Sequence, residues 1–295
     1  MSAIYLPQNE FSSKNRFFYN LYTAKKEYIY HNQLQYHDFY EFQFFFNSAN
    51  DPDELLGYIT LDHEKYPLYH NSIVLIDLFK KHKIDILSKN YNRYCFDMYP
   101  DFIHFVSSVE SNLMNLFNQA TNPTAILHLK EESAAQIFQA FVDLHQPVLS
   151  SGNDIYQKGI LCLLLANIYD IYHKNSSAGT NINKEDKNMI LILQIIQYID
   201  THIENQLSLE ELSDALHFST YYLCHSFKKY ANISLKTYIM DKKINLAKQL
   251  LSVYSATEVS EKIGFNNYSS FFRAFKKLTG ISPSDYKFHL KIKQY

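Results

Sequence analysis

Two segments near the C-terminal end carry hydrogen-bond donors at helical spacing, and their chemistry suits a polyanion. In the second segment, Ser269, Arg273 and Lys276 recur every three or four residues, which places them on one face of a helix. A guanidinium can donate two parallel hydrogen bonds to a guanine edge, whereas Lys and Ser bind phosphate oxygens. The matching face of the first segment offers Tyr221 and His225. The full set of candidate DNA contacts is Ser219, Thr220, Tyr221, Cys224, His225, Lys228, Ser269, Ser270, Phe272, Arg273 and Lys276.

A second candidate site lies near the start of the chain, where His37 and Glu41 are four residues apart. On a strand this spacing puts both side chains on one face, so they point together, with Tyr40 and His82 as further candidates. These side chains either contact a small ligand or simply pack in the barrel and lie on its surface as ordinary polar residues. A metal site needs several His residues and a carboxylate, and here only His37 and Glu41 suggest one. We therefore expect no metal, no cofactor and no catalytic residues.

The candidate DNA contacts belong to an internal repeat with an offset of 47 to 48 residues. The matching pairs include Ser213 and Ser260, Phe218 and Phe265, Phe227 and Phe275, Ile233 and Ile281, and Tyr238 and Tyr286. Each copy predicts a short helix, a tight turn at His217 to Ser219 or at Gly264, and a second helix. Ser208 and Glu211 predict a capping box at the start of the first copy. Such a pair of helices is a helix-turn-helix candidate.

Helical periodicity also predicts the buried faces of the repeat. These comprise Leu209, Leu212, Ala215 and Leu216, then Leu223 and Phe227, and in the second copy Val259, Ile263, Phe271, Phe275 and Leu278. Between the copies, Leu235 to Leu251 predicts a helix of about 17 residues, roughly 25 Å long. A helix of that length can hold two reading helices about one DNA turn, roughly 34 Å, apart.

Residues from about 187 to 289 resemble the DNA-binding domain of the AraC/XylS family of transcription regulators. The similarity is carried by LSLEELSDALHFS, YLCHSFKK, the segment from Ala256 to Phe265, and SSFFRAFKKLTGISPSDYK. It implies a regulator that binds double-stranded promoter DNA, more often as an activator, as a homodimer and with RNA polymerase as a further partner. His225 and Lys243 stand where Arg is usual, and Asn232 stands where Gly is usual, so the contacts of the first unit depart from the family pattern.

Upstream, short β-branched and aromatic runs predict strands at 42–46, 57–61, 72–78 and 93–98, with helices after residue 107. The family resemblance extends to HDFYEFQFFF and GYITLDHEKYPLYHNSIVLID, and it implies a cupin-like β-barrel followed by dimerisation helices. The Gly of the family's usual Gly-Asp turn is absent at Asn71 and Ser72, which indicates a degenerate barrel. Such a barrel either senses a small-molecule effector or serves only as a dimer scaffold.

We therefore expect an α+β chain: a cupin-like sensing domain at 1–107, a helical dimerisation region at 108–173, a linker at 174–183 and a DNA-binding domain at 184–295. The helix at 154–172 is apolar over more than one stripe, so it is buried on two sides. Its apolar residues are Ile160, Leu161, Leu163, Leu164, Leu165 and Ile168. This pattern suits either a central helix of the monomer or one that also meets a second subunit.

Charge and cysteine content narrow the class of protein. Residues 1–183 carry 13 basic against 19 acidic residues, whereas residues 184–295 carry 15 against 11, which is compatible with nucleic acid. Cys95, Cys162 and Cys224 are too few and too scattered for a disulfide framework, so we expect reduced thiols and a cytoplasmic protein without membrane insertion. Two alternatives remain: a metal- or ligand-dependent cupin enzyme, and a protein-interaction module without specific DNA binding.

Overall fold

A computed structural model describes residues 4–5, 17–23, 34–49, 51–108, 110–117, 126–145, 149, 151–175 and 187–292. Over these residues the chain has the predicted α+β architecture. Beyond the first ten residues it divides into an N-terminal unit, Phe11–Ile182, and a C-terminal unit, Asn183–Tyr295. Most of the linker expected at 174–183 lies outside the described residues.

Two antiparallel five-stranded sheets, with strand orders β1-β3-β8-β5-β6 and β10-β7-β4-β9-β2, form the N-terminal unit. The strands are β1 Ile4–Tyr5, β2 Phe17–Thr23, β3 Gln35–Tyr36, β4 Tyr40–Asn47, β5 Gly57–Leu61, β6 Glu64–Leu68, β7 Ser72–Ile76, β8 His82–Ile86, β9 Tyr91–Met98 and β10 Ile126–His128. The helices are α1 Pro100–Val106, α2 Met114–Phe117, α3 Glu131–His145 and α4 Asn153–Asn175.

Strand β4 is buried on both faces because it separates two layers. Phe42 stacks on Phe141 of α3, with ring centroids 6.0 Å apart, and so lies on the helix side of its sheet. On the other face, Phe45 belongs to an apolar core with Leu56 and Ile59, which come from the second sheet and the loop before it. Period-two alternation therefore sends Glu41 and Gln43, which share the face of Phe45, into the interior between the sheets.

The four predicted strands are present as β4, β5, β7 and β9, with ends that differ by a few residues. Three predicted features need correction. Helix α1 begins at Pro100, before the expected change to helix at residue 107, and β10 at Ile126–His128 pairs with β7 inside a stretch expected to be helical. Three residues are too few to show an alternating pattern. In α4, Leu163 is 67% exposed, whereas the other five predicted apolar positions are buried.

Seven described helices form the C-terminal unit: α5 Lys187–His202, α6 Leu209–Leu216, α7 Thr220–Ala231, α8 Leu235–Leu250, α9 Ala256–Lys262, α10 Tyr268–Thr279 and α11 Pro283–Ile292. The repeat is visible as two helix-turn-helix units, α6–α7 and α9–α10, joined by α8. Each unit begins with a capping box, Ser208 with Glu211 and Ser255 with Glu258. In each box the serine hydroxyl accepts from the backbone of the glutamate, and the carboxylate accepts from the backbone of the serine.

The core of the second unit forms where α9 and α10 pack on α8. It contains Ile244, Ala247, Leu251, Val259, Ile263, Phe271 and Phe275. Two side chains that periodicity placed in the buried faces are exposed instead, Ala215 in α6 and Leu278 in α10. Both lie in the last turn of their helix. No described helix combines the length and apolar character needed to cross a membrane.

Gly264 permits the tightest backbone approach in the second unit. It occupies the turn between α9 and α10 with φ +69°, in the left-handed region. A Cβ built on it would lie 2.5 Å from the carbonyl carbon of Asn205 and 2.6 Å from the backbone nitrogen of Gln206. The equivalent turn position of the first unit is His217, also left-handed at φ 58°. Among the glycines that the structure describes, only Gly264 therefore combines a left-handed φ with a close contact.

Replacing Gly264 by Ala should lower the free energy of unfolding by about 2 to 4 kcal/mol, because left-handed strain of about 1 to 2 kcal/mol adds to a backbone clash. Gly280 is a matched control, since its φ is +80° but nothing lies within 4 Å of its virtual Cβ. Gly280→Ala should cost only the strain, about 1 kcal/mol. Urea unfolding of both variants would measure this difference, and equal losses would contradict the contact with Asn205.

Candidate nucleic-acid interface and buried polar cluster

Helix α7 presents an aromatic and basic face to solvent. Its buried side holds Leu223 and Phe227, so the predicted orientation is correct for these residues. On the other side Tyr221 is 79% exposed and stacks on His225, with ring centroids 5.9 Å apart and planes inclined by 14°. Among the other candidate contacts, Ser219 and Lys228 are exposed, whereas Thr220 and Cys224 are half-buried.

Helix α10 presents a more polar face at the corresponding place. Ser269, Arg273 and Lys276 are exposed, whereas Ser270 and Phe272 are half-buried. The Nε of Arg273 donates to the backbone oxygen of Ser269, one turn earlier, at 3.3 Å. Within the described part of the chain no carboxylate forms an ion pair with Arg273. The hydrogen bond to Ser269 directs the guanidinium along the helix toward its N-terminal turn. Free backbone N–H groups in that turn attract anions.

The first turn of each of these helices is fixed by a side-chain cap. The hydroxyl of Ser219 accepts from the backbone nitrogen of Tyr222 at 3.3 Å, and Asn267 accepts from that of Ser270 at 2.8 Å. A hydroxyl that accepts one hydrogen bond retains its own proton to donate, so Ser219 can cap α7 and still donate to an anion. At the other end of α7, Asn232 takes the left-handed conformation at φ 56°, which Asn tolerates better than most residues. The departure from Gly at this position is therefore compatible with the fold.

Lys243 of α8 joins the two helix-turn-helix units through a buried contact. The side chain is only 6% exposed, and its Nζ donates to the carbonyl oxygens of Asn205 at 2.8 Å and Ile263 at 2.7 Å. Asn205 precedes the first unit, and Ile263 ends α9 in the second. Burial lowers the pKa of the Lys243 ammonium from its usual value. The carbonyl dipoles provide its charge with partners, and they hold the two units in one arrangement.

A cluster of buried polar side chains lies between the sheets of the N-terminal unit. Glu41 is its centre: Oε2 lies 2.9 Å from Nε2 of His37 and 3.4 Å from Nε2 of His82. Its other oxygen, Oε1, accepts from Gln43 at 2.7 Å and from the Cys95 thiol at 2.8 Å. The structure thus brings together three of the four candidate ligand contacts, all of them buried rather than on the surface.

Tyr40 does not join this cluster. It precedes Glu41 on β4, so its side chain points to the opposite face and lies against Phe117 of α2, with ring centroids 4.7 Å apart. His37 reaches Glu41 for a reason other than the predicted strand spacing, because it lies before β4. A bend at residues 38–39 folds it back, and its ring stacks on Phe39 at 3.8 Å.

The charges of the cluster depend on competition between burial and hydrogen bonding. Burial opposes ionisation of Glu41, but the hydrogen bond with His37 and the nearby positive charges hold the pKa of this carboxyl well below its usual range. Burial likewise opposes the charge on His37, but its hydrogen bond to Glu41 raises the pKa of the imidazole. Burial lowers the pKa of His82 to about 4. Burial and the charge of Glu41 raise the pKa of Asp97 to about 7. Glu41 and His37 therefore form an ion pair beside a neutral His82.

Several members of the cluster, on β9 and β3, are not among the predicted site residues. Arg93, Cys95 and Asp97 alternate along β9, and Cys95 and Asp97 lie opposite Gln43 and Glu41 in the strand register. Gln35 on β3 lies 2.9 Å from His82. The alternation in β9 was a usable signal, since three polar residues at every second position define one polar face. Alternation alone does not show whether such a face meets solvent or a second sheet.

Replacing Lys243 by Met should lower the free energy of unfolding by about 1 to 3 kcal/mol, because the carbonyls of Asn205 and Ile263 would lose their donor. Lys243→Arg is the matched control, since a guanidinium retains both charge and donors, and it should cost less than about 1 kcal/mol. Thermal and urea unfolding of the two variants would measure the difference. An unchanged stability in Lys243→Met would mean that the contact contributes nothing.

A helix-turn-helix domain family matches residues 212–288, which run from α6 into α11. The chain is 33% identical over 107 residues to the uncharacterised regulator YdiP of Escherichia coli, covering 36% of this chain and 35% of YdiP. It is also 33% identical over 109 residues to LumQ, a probable transcriptional regulator of Photobacterium leiognathi, covering 36% of this chain and 43% of LumQ. The chain thus spans less than half the length of these curated relatives.

Solved structures extend the similarity of fold to nearly the whole chain. ToxT of Vibrio cholerae, in an apo form, has a TM-score of 0.59 at 15% identity, over 93% of this chain and 97% of ToxT. ToxT with a bound unsaturated fatty acid gives a TM-score of 0.57 at 16% identity, over 96% and 97%. The tandem capped units, the domain match and the regulator relatives together show that residues 212–288 form a helix-turn-helix domain similar to those of AraC-type transcription regulators.

Proposed function

We propose that the chain is a cytoplasmic, sequence-specific DNA-binding transcription regulator, most simply an activator. One observation carries the proposal: α7 and α10 occupy matching places in a tandem repeat, and each buries an aromatic face while exposing polar and basic side chains from its first turns. A helix of this kind fits the major groove, where side chains near its start reach base edges. The intervening α8 has 16 residues, so it is about 24 Å long, and this length suits two readers on one face of a duplex.

The two units would contribute different chemistry to recognition. In α10, Arg273 would pair with a guanine, while Ser269 and Lys276 would bind phosphates on either side. In α7, the stacked pair of Tyr221 and His225 offers an apolar plate with one polar edge, which suits a thymine methyl group beside a hydrogen-bonding base. Lys228 would take the phosphate role of Lys276. The target would then contain a guanine-reading half and a half read mainly by apolar contact.

Domain roles follow from the same proposal. Residues 1–107 would form the sensing domain, 108–173 the dimerisation region, 174–183 a linker and 184–295 the DNA-binding domain. The two solved ToxT structures with bound organic acids, an unsaturated fatty acid and a naphthalenyl butenoic acid, favour a small carboxylic acid as the class of effector. Such a molecule would bind in the N-terminal unit and act by favouring one conformation of the regulator.

An exposed apolar stripe on α4 supports a homodimer. Ile155 and Leu163 are 71% and 67% exposed, and Gly159 between them has nothing within 4 Å of its virtual Cβ. Positions 155, 159 and 163 follow one another by a helical turn, so they lie on one face, opposite the buried Leu161 and Leu165. Small and apolar residues along one face suit close packing against the same helix of a second subunit.

Enzymatic activity is the less favoured function. The polar groups of the cluster, among them Glu41, His82 and Cys95, are buried and bonded to one another. A catalytic base must instead reach a substrate proton. A protein-interaction module without DNA binding would give no role to the exposed guanidinium of Arg273. Measuring DNA binding by Arg273 variants distinguishes such a module from a DNA-binding regulator.

Arg273→Ala should lose about 1 to 3 kcal/mol of discrimination between specific and random DNA. Arg273→Lys should lose most of it as well, because an ammonium keeps the charge but not the two parallel donors. The DNA would be a site selected from a random pool by the purified protein, with affinities measured at two salt concentrations. Lys276→Ala is the control for phosphate contact: it should weaken specific and random binding alike and reduce the salt slope by about one.

Unchanged discrimination in Arg273→Ala would remove that residue from base readout. If the folded wild-type protein retained no DNA even at low salt, the regulator proposal itself would fail, and the interaction-module alternative would replace it.

Leu163→Glu should convert a dimer into a monomer, because a carboxylate buried in an apolar interface costs several kcal/mol. Folding of the single chain should be nearly unaffected, since surface substitutions usually change stability by less than about 0.5 kcal/mol. The control is Leu87→Glu, which alters another leucine of the same unit that is 62% exposed. Sedimentation equilibrium would read the subunit state. A dimer that persists in Leu163→Glu would place the interface elsewhere.

A further inference from the structure

Three metal-ligating atoms converge on one point inside the N-terminal unit. They are Nε2 of His37, Nε2 of His82 and Oε2 of Glu41, and all three lie within 4.8 Å of one another. The side chains are almost completely buried, with residue exposures of 1%, 0% and 5% in that order. The amino-acid sequence alone predicts no metal site, because only His37 and Glu41 suggest one. The third ligand comes from 41 positions further along the chain, at the start of β8.

The backbone fixes which nitrogen of each imidazole faces the carboxylate. Nδ1 of His37 lies 2.8 Å from the carbonyl oxygen of Phe39, and Nδ1 of His82 lies 2.9 Å from that of Lys80. A carbonyl oxygen only accepts hydrogen bonds, so Nδ1 must carry the proton in both rings. The lone pair of the neutral His82 ring is then on Nε2, which faces Glu41, and His37 offers a lone pair on the same nitrogen once it gives up the proton that it shares with Glu41. Histidines that bind metals are held in this way, with the other ring nitrogen donating to a carbonyl or carboxylate.

Hydrogen bonds also orient the carboxylate of Glu41, so that one of its oxygens faces the two imidazoles. Its Oε1 is occupied by hydrogen bonds from Gln43 and Cys95, which leaves Oε2 facing the two imidazoles. Two nitrogen lone pairs and a carboxylate oxygen repel one another unless a positive charge lies between them. A proton on His37 supplies one such charge, and a cation bound by all three atoms would supply a larger one.

The distances suit a small divalent ion. Zinc binds His nitrogen and carboxylate oxygen at about 2.0 to 2.2 Å, which separates tetrahedral ligands by about 3.3 to 3.6 Å. The observed separation is 3.4 Å from Glu41 to His82 and 2.9 Å from Glu41 to His37. Binding would therefore widen the pair of Glu41 and His37 by a few tenths of an ångström, whereas the two Nε2 atoms lie within 4.8 Å of each other. The amide of Gln35, now 2.9 Å from Nε2 of His82, would turn aside.

We propose that His37, Glu41 and His82 form a binding site for a divalent transition metal of the zinc class. Two imidazoles with one carboxylate favour such an ion over Ca²⁺ or Mg²⁺, which prefer oxygen ligands. Three protein ligands leave a fourth position for water or for an anionic group of a small molecule. The site is independent of the proposed DNA-binding function, because all its ligands belong to the N-terminal unit.

Cobalt is the most informative probe, because tetrahedral Co²⁺ absorbs visible light. Full-length protein without an affinity tag would be stripped with a chelator and titrated with CoCl₂. One equivalent should bind, give visible absorption bands, and be displaced by one equivalent of Zn²⁺. The metal should also raise the Tm, since it binds only the folded site. Binding should weaken as the pH falls, because the metal must displace the proton that His37 shares with Glu41.

His82→Gln and Glu41→Gln should abolish the absorption and the rise in Tm. His63→Gln is the matched control, since it removes an exposed histidine from the turn between β5 and β6 and should leave both unchanged. Absence of absorption and of any Tm change in the wild type would overturn the proposal, as would full cobalt binding by His82→Gln. Should that variant fail to fold, the wild-type stoichiometry and Tm still decide. DNA binding by the stripped protein is measured separately, so each proposal fails on its own evidence.

Discussion

The buried ammonium of Lys243 is the contact on which the arrangement of the C-terminal unit depends. An isolated charge in a protein interior costs several kcal/mol, so it must find dipoles, and here the carbonyls of Asn205 and Ile263 supply them. These carbonyls belong to the turn before the first helix pair and to the end of α9. Gly264 lets the same two backbone segments meet without a side chain between them. The relation between the two exposed helices is thus set by a polar contact as well as by the apolar core.

In the N-terminal unit, too, buried charged groups need hydrogen-bond partners, and here side chains supply them instead of backbone carbonyls. Its sheets enclose an apolar core together with a carboxylate, two imidazoles, an amide and a thiol. Burying these groups is tolerable only because each has a partner. Glu41 accepts three hydrogen bonds, from His37, Gln43 and Cys95, and its Oε2 lies 3.4 Å from Nε2 of His82, so it helps to determine how these side chains are oriented. Because these side chains share one carboxylate, the gain or loss of one positive charge would affect the hydrogen bonds of all of them.

Sequence patterns located the helices of the C-terminal unit well because each has a buried stripe at helical spacing, a cap and a turn residue. Leu223, Phe227, Phe271 and Phe275 are buried as predicted, and the Ser208 capping box is present. The polar cluster was only half predictable. Alternation on β9 shows that Cys95 and Asp97 share a face, but whether that face meets solvent or a second sheet depends on strand order. The bend that returns His37 to Glu41, and the three-residue strand β10, leave no periodic signal.

The two copies of the repeat differ where difference matters for recognition. Their capping boxes and their paired buried aromatic or leucine residues serve packing and are alike in chemistry. Their exposed faces are unlike, since α7 carries Tyr221 stacked on His225 whereas α10 carries Ser269 and Arg273. Buried residues determine the position of each helix in the unit, whereas exposed residues determine which molecule the helix can bind. If α7 and α10 are the two reading helices of the proposed regulator, they would recognise an asymmetric sequence, because they are held alike but differ in exposed chemistry. The contact at Lys243 would then fix the direction of the protein along the duplex.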